Sequence, residues 1–432
     1  MAHSAPLDCR ENTTMDTPTA DEVRAELEAW LDANWDPELT VSEWWALLEP
    51  TGYAHPILAE NAGGRGWGRD LAAVVNNVMA DREVLGPPSS GLGWMLAAPT
   101  IAAHGTQEQI DQFVPEILRG EVGWCQLFSE PGAGSDLAGL SCKAEKDGDE
   151  WVITGQKVWT SGGQVADWGM LIARTDVDAP KHKGISWFVF DMNQPGVTVR
   201  PLTEMTGRAI FNEVFIDEAR ALDANIIGGT NNGWAVANST LMFERASLGS
   251  AGRKPMSAMP GKKGGVLGRP VSDFATKRRS EGGVPALGPG LWQYLVDAAT
   301  KSGKNEDPVL RQELVKLWSL IELNRISTLR AKDPTQRTGA EPNLGKLNMS
   351  EMFRQFREVG AAVLGADAML WGKDEPVTNG SVGELITFSP GPSIYGGTDE
   401  IQRNIIGERI LGLPREPGPE KGTPFRDLVK NA

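Results

Sequence analysis

The chain has 432 residues, 40% of them hydrophobic, enough for two or three packed domains. Its 42 basic and 57 acidic residues leave a net charge of −15, which argues against nucleic acid or an anionic membrane surface as the main partner and leaves an anionic ligand to a local basic patch. The three cysteines, Cys9, Cys125 and Cys142, lack metal-ligand spacing and suit a reducing cytoplasm.

No apolar run reaches membrane-spanning length, and Met1 to Thr19 is polar, without the apolar core of a signal peptide. His3, His55, His104 and His182 are scattered, so neither a metal site nor a Ser-His-Asp triad is expected.

Residues 1–20 read as a disordered tail, and residues 21–120 as a helical domain. Asp21 to Trp35 carries Val23, Leu27, Trp30 and Leu31 at helical spacing. Thr40 and Glu43 open a second helix that buries Trp44, Trp45 and Leu48. Asp70–Leu85 and Leu92–His104 follow, and Thr106 with Gln109 forms a capping box ahead of Ile110, Phe113 and Ile117. Over residues 121–232 the period changes to two. Strands are expected around Trp151–Thr154, Gly169–Ala173, Ile185–Phe190 and Glu213–Ile216, with Asp147-Gly148 as a hairpin turn.

Residues 233–414 return to helix, through Gly233–Leu248, Asp307–Ala331, Pro342–Leu364 and Asp399–Leu411. A Gly-, Pro-, Lys- and Arg-rich loop or insertion interrupts them at 253–290, and 415–432 is a polar tail. The basic residues from Lys254 to Arg279 admit two readings, a solvated loop or a contact with ligand phosphates.

Two glycine-rich stretches carry the chemistry. The first runs Gln126-Leu-Phe128-Ser129-Glu130-Pro-Gly-Ala-Gly134-Ser135-Asp136. The second runs Gly155-Gln-Lys-Val-Trp159-Thr160-Ser161-Gly-Gly163. Pro and Gly around Ser and Asp make a tight turn that exposes backbone N–H groups, suited to phosphate or the polar edge of a ring. An ordinary hairpin loop is the alternative for such a turn taken alone.

Together, at this spacing, the two stretches resemble the flavin signature of the acyl-CoA dehydrogenase family, and the resemblance extends from about Ala59 to Pro414. It implies an α+β fold of helical domain, middle β-barrel and C-terminal four-helix bundle. It further implies FAD as cofactor, an acyl-CoA substrate desaturated between its α and β carbons, and an electron-transfer flavoprotein as acceptor. Phe128, Ser129, Gly134, Ser135, Trp159, Thr160 and Ser161 match flavin- or acyl-CoA-facing positions, and Thr398 and Glu400 match FAD contacts. Ser135 falls nearer the CoA arm, or is a turn hydroxyl.

The chain departs from the family pattern in two places. Gly396 stands where many members carry the catalytic glutamate, although a glycine keeps the backbone N–H that polarises the thioester carbonyl in the family. A smaller branch puts the glutamate on an early helix of the bundle, which Thr240-Leu-Met-Phe-Glu244-Arg245 resembles. Leu241 and Leu248 share a helix face with Glu244, and Trp234 and Ala237 extend it, so an apolar setting and a raised pKa are expected. A structural buried ion pair is the competing role for Glu244, and Arg245 is read as structural.

Secondly, the motifs that hold the adenosine half of FAD from a neighbouring subunit are missing. Arg278-Arg279-Ser-Glu-Gly and Phe356 to Gly365 stand in their places. Some actinobacterial members instead pair two different subunits as α2β2, often for bulky steroid side chains, and the chain resembles such an α subunit. A non-catalytic scaffold subunit and a flavin oxidase or monooxygenase are the alternatives.

Overall fold

The computed structural model describes residues 17–248, 255–275, 289–331, 333–415, 417–418, 420 and 422–429. Cys9, Lys254 and the basic run Lys277 to Arg279 lie outside them, as does the side chain of Leu248.

The N-terminal part is helical: α1 (Ala20–Asn34), α2 (Val41–Leu48), α3 (Arg69–Asp81), α4 (Ala98–His104, entered through a π turn at Gly93–Ala97) and α5 (Gln107–Leu118). Capping boxes at Thr19/Glu22, Thr40/Glu43 and Thr106/Gln109 set the starts of α1, α2 and α5. Val23, Leu27, Leu31, Trp44 and Trp45 are buried together in the core of these helices.

The middle part holds β1 (Trp124–Leu127), β2 (Lys143–Asp147), β3 (Glu150–Lys157), β4 (Trp168–Arg174), β5 (Ile185–Asp191), β6 (Val197–Leu202), β7 (Phe211–Leu222) and β8 (Ile226–Ile227). Among the described residues these form one eight-stranded sheet in the order β6-β7-β3-β2-β4-β5-β8, with β1 parallel to β4. Its ends, β6 and β8, are not joined by pairing, so the barrel is open.

Both faces of β4 and β5 are covered, which is why these strands are apolar throughout rather than alternating. Met170, Ile172, Trp187 and Val189 face the helical core, while Leu171, Ala173, Phe188 and Phe190 face a second core.

The C-terminal part holds α6 (Gly233–Leu248), α7 (Ser272–Ala275), α8 (Pro289–Lys301), α9 (Pro308–Arg330), α10 (Glu341–Leu364), α11 (Ser381–Phe388) and α12 (Asp399–Ile405). A third core, with Leu295, Leu314, Leu317 and Phe356, binds α8, α9 and α10 into a bundle.

Helix α6 contributes Val236 and Ala237 to the core of the N-terminal helices rather than to this third core. It packs on β5, α4 and the π turn. A Cβ on Gly233 would lie 2.4 Å from the Ser186 carbonyl carbon, so only glycine lets α6 start this close to β5.

The described part of the 253–290 insertion is tied to the N-terminal helices. Val41 N–H donates to Arg269 O at 2.9 Å and Gly86 N–H to Met256 O at 2.7 Å. Lys263 is bound to Ala166 O, and Arg269 pairs with Asp273. Within the polar tail, residues 422–429 return to the middle domain, where Phe425 N–H donates to Ala179 O and its ring lies 3.7 Å from the Arg174 guanidinium.

Candidate active site

Glu244 lies in the last turns of α6, on the side that meets the sheet. Wholly buried Ala237 and partly buried Trp234 and Leu241 line that side. One turn earlier, the Thr240 hydroxyl meets that of Thr100 on α4 at 3.0 Å, both side chains buried, which fixes the rotation of α6.

Burial pushes the Glu244 carboxyl above its ordinary value. The polar amide of Gln126 on β1 and the charge of Arg245 oppose the rise without cancelling it. Arg245 acts on Glu244 through its charge, and burial lowers its own pKa. Sequence position alone gave Arg245 a purely structural role. Adjacent helical side chains diverge, but in a half-buried site the field of a neighbouring charge still reaches.

The first glycine-rich stretch leaves β1 and turns at Glu130–Ala133, whose backbones exchange hydrogen bonds of 3.0 and 3.1 Å. Phe128 is buried, Ser129 half-buried, and Gly134 and Ser135 exposed. The turn is clamped from below. Lys157, wholly buried at the end of β3, donates to Glu130 Oε1 at 2.9 Å and to Phe128 O at 3.0 Å. The Glu130 carboxylate also accepts from the N–H groups of Ser141 and Cys142. Burial alone would raise the Glu130 pKa, but Lys157 and these N–H groups outweigh it and hold the group ionised. Val158 N–H donates to Ser129 O at 2.9 Å, which joins the two stretches directly.

In the second stretch Trp159 has φ +61°, a left-handed value costly for a bulky residue, and its indole is 56% exposed, edge-on to Phe211 at 5.8 Å. Thr160 is wholly buried and pairs by its backbone with Asn212 in both directions at 3.0 Å. Its Oγ1 has no hydrogen-bond partner among the described residues. A buried hydroxyl left this way costs about 1–3 kcal/mol unless a ligand meets it. Ser161 is half-buried beside it.

In the C-terminal stretch Gly396 and Gly397 both have left-handed φ, +65° and +81°. Thr398 caps α12, its hydroxyl accepting from Ile401 N–H at 3.2 Å. Glu400 is exposed and lies 3.6 Å from Arg403.

Hydrogen bonds therefore unite the two glycine-rich stretches, and the Gln126 amide on β1 relates Glu244 to them electrostatically. Gly396 and Thr398 precede α12 and Glu400 lies in it. The link on that side is electrostatic, from Arg245 to Arg409 beyond α12. Sequence reasoning missed Gln126, Lys157 and Gln402. A polar residue on an otherwise apolar strand was the available signal for Gln126, and an uncharged amide on the inner face of α12 for Gln402. Among the described residues no cluster of His, Cys, Asp or Glu suits a metal ion.

Three domain models of one family match the chain in order. The acyl-CoA dehydrogenase N-terminal domain covers residues 13–121, the middle domain 125–219 and the C-terminal domain 291–411. Acyl-CoA dehydrogenase IpdE1 of Mycobacterium tuberculosis is 36% identical over 328 residues, 75% of this chain and 75% of that protein.

The chain belongs to the acyl-CoA dehydrogenase family.

It is an oxidoreductase of that class, and such enzymes generally bind FAD. Among solved structures, the Tcur3481-Tcur3483 steroid ACAD superposes with a TM-score of 0.67 at 25% identity, covering 92% of this chain and 98% of that one. The ChsE4-ChsE5 complex from Mycobacterium tuberculosis gives 0.65 at 25%, covering 93% and 100%.

The residues present fit a flavin of this family. Thr160 offers an unanswered buried hydroxyl, and the exposed Gly134–Ser135 turn offers backbone donors.

Proposed function

We propose that this chain is the base-bearing subunit of a heteromeric acyl-CoA dehydrogenase acting on a bulky thioester, a steroid side-chain CoA, with FAD as cofactor and an electron-transfer flavoprotein as acceptor. The observation that carries the proposal is Glu244, a carboxyl set among apolar side chains of α6 and under the influence of Gln126 on the strand that opens the flavin motif.

Bound FAD would supply hydride acceptance and pass the electrons on. Phe128, Ser129, Trp159, Thr160 and Ser161 would hold its ring, Gly134 and Ser135 the turn beside the substrate, and Thr398 and Glu400 the far side. Glu244 takes the α proton. A desolvated carboxylate is a stronger base than one in water, and fixed geometry supplies much of the remaining rate. The N–H at Gly396 polarises the thioester carbonyl.

Two things support a second subunit. The solved neighbours bear paired names, one of them a complex. In addition, α9 exposes Val315, Leu323, Ile326 and Leu329 along one stripe, an apolar surface of the kind that partners cover. The missing adenosine-side motifs favour a second reading as well, in which this chain is a scaffold and its partner does the chemistry. Among the described residues no helix is long and apolar enough to cross a membrane. The buried free thiols Cys125 and Cys142 suit the cytoplasm in which we place the enzyme.

The test is purification of this chain alone and with a second acyl-CoA dehydrogenase-like subunit, followed by FAD stoichiometry and anaerobic bleaching with steroid-CoA and straight-chain thioesters. Tight FAD and bleaching only in the complex support the proposal. Stoichiometric FAD on the chain alone contradicts the shared site.

A further inference from the structure

The loop ahead of α12 is held by one side chain. Gln402, 1% exposed, donates from Nε2 to the carbonyl of Gly396 at 3.0 Å and to that of Gly397 at 3.2 Å. Its Oε1 accepts from Asn343 Nδ2 on α10 at 2.6 Å, so the carboxamide is fixed in orientation. The fit leaves no slack: a Cβ on Gly397 would lie 2.6 Å from Gln402 Nε2.

The start of α12 is anchored as firmly. Asp399, 3% exposed, accepts from Ser350 Oγ at 2.7 Å and Lys346 Nζ at 3.2 Å, and pairs with Arg354. The loop is thus pinned by two independent buried attachments to α10.

A trans peptide sets each carbonyl antiparallel to the next N–H. Drawing the Gly396 and Gly397 carbonyls inward therefore turns the N–H groups of Gly397 and Thr398 away from Gln402. Among the described residues neither of these N–H groups, nor that of Gly396, has an acceptor. Successive free backbone N–H groups in a turn conformation form an anion-binding concavity, and Gly396 and Gly397 supply the turn with their positive φ.

We propose that Gln402 is a positioning residue of the thioester-polarising loop: held by Asn343, it draws two carbonyls inward and presents the Gly397 and Thr398 N–H groups, beside that of Gly396, to the thioester oxygen. This rests on the function proposed above. In the step served, the α C–H bond breaks and its proton passes to the Glu244 carboxylate. The freed electron pair delocalises onto the thioester oxygen, then closes the Cα=Cβ bond as the β hydrogen leaves with its electron pair, which bound FAD would accept. Charge on that oxygen is what the loop stabilises.

The experiment uses the FAD-loaded complex carrying Gln402→Met or Gln402→Glu, with Glu244→Gln alongside. Readouts are kcat and KM per bound FAD, and the long-wavelength band that appears when a 3-thia-acyl-CoA loses its α proton against the flavin without being oxidised. For Gln402→Met, kcat falls about 100-fold with KM little changed, and the band requires a pH about two units higher. Gln402→Glu keeps the acceptor for Asn343 but donates only when protonated, so its kcat relative to wild type rises as pH falls.

Wild-type kcat and band pH in Gln402→Met overturn the inference, as does a loss confined to FAD content and melting temperature. Should Gln402→Met not fold, a Gln402→Glu rate ratio that does not change with pH overturns it. An inactive Glu244→Gln beside a wild-type-like Gln402→Met sinks this inference alone, whereas an active Glu244→Gln sinks the base assignment itself.

Discussion

The side-chain amide of Gln126, on the strand that leads into the flavin motif, favours the ionised form of the Glu244 carboxyl on helix α6. The side chain assigned as base is thereby tied to the structure assigned to the cofactor. Burial raises the carboxyl's pKa, and Gln126 together with Arg245 limits how far it rises.

Replacing Gln126 by Ala removes a partner that favours the ionised form, so the Glu244 pKa climbs further. The acidic limb of the kcat profile moves to higher pH, and the rate at neutral pH falls severalfold while the alkaline plateau is kept. A pH–rate series on both proteins measures this.

The same carboxyl leaves a mark on stability. Its folded pKa lies above the ordinary 4.5, so between the two values the folded state binds more protons than the unfolded one. Stability from this group is therefore whole below 4.5 and declines as pH rises through the raised value. Glu244→Gln abolishes that decline, and denaturant titrations of both proteins across this range display the difference.

Lys157 and Glu130 form a buried pair beneath the flavin turn. Removing one partner strands the other, at about 3–5 kcal/mol. Lys157→Met is expected to melt well below wild type and to lose FAD. Because the Glu130 pKa is depressed, the stability it contributes is present above its unfolded pKa and is lost as pH falls through the folded value. The acid side of the wild-type stability profile reports it.

Thr160→Val separates cofactor binding from folding. Its hydroxyl is buried without a partner, so its removal leaves the FAD-free protein as stable or about 1 kcal/mol more stable. FAD affinity falls about tenfold if the hydroxyl meets the flavin. Calorimetry with and without FAD gives both quantities.

Much of the fold is legible in local chemistry. The capping box at Thr106 and Gln109 and the apolar spacing in α1 and α9 are visible residue by residue. Helices α8 and α11 are not so visible. The first follows a Gly- and Pro-rich stretch, and the second is only eight residues long, Ser381–Phe388. Glu244 is legible because a carboxylate on an apolar helix face breaks the pattern. Gln126 and Gln402 stand out only as polar residues in apolar surroundings, and neither they nor Lys157 reveal their partners: Gln126 and Lys157 act on residues distant in sequence, Gln402 across a loop five and six residues back.

The most direct test of the account is anaerobic flavin bleaching by a steroid-CoA thioester in the reconstituted complex, wild type against Glu244→Gln. The wild type is expected to bleach fully and the variant at a rate at least 100-fold lower, with FAD content unchanged. Bleaching of the variant at the wild-type rate would place the base elsewhere and make this chain the scaffold.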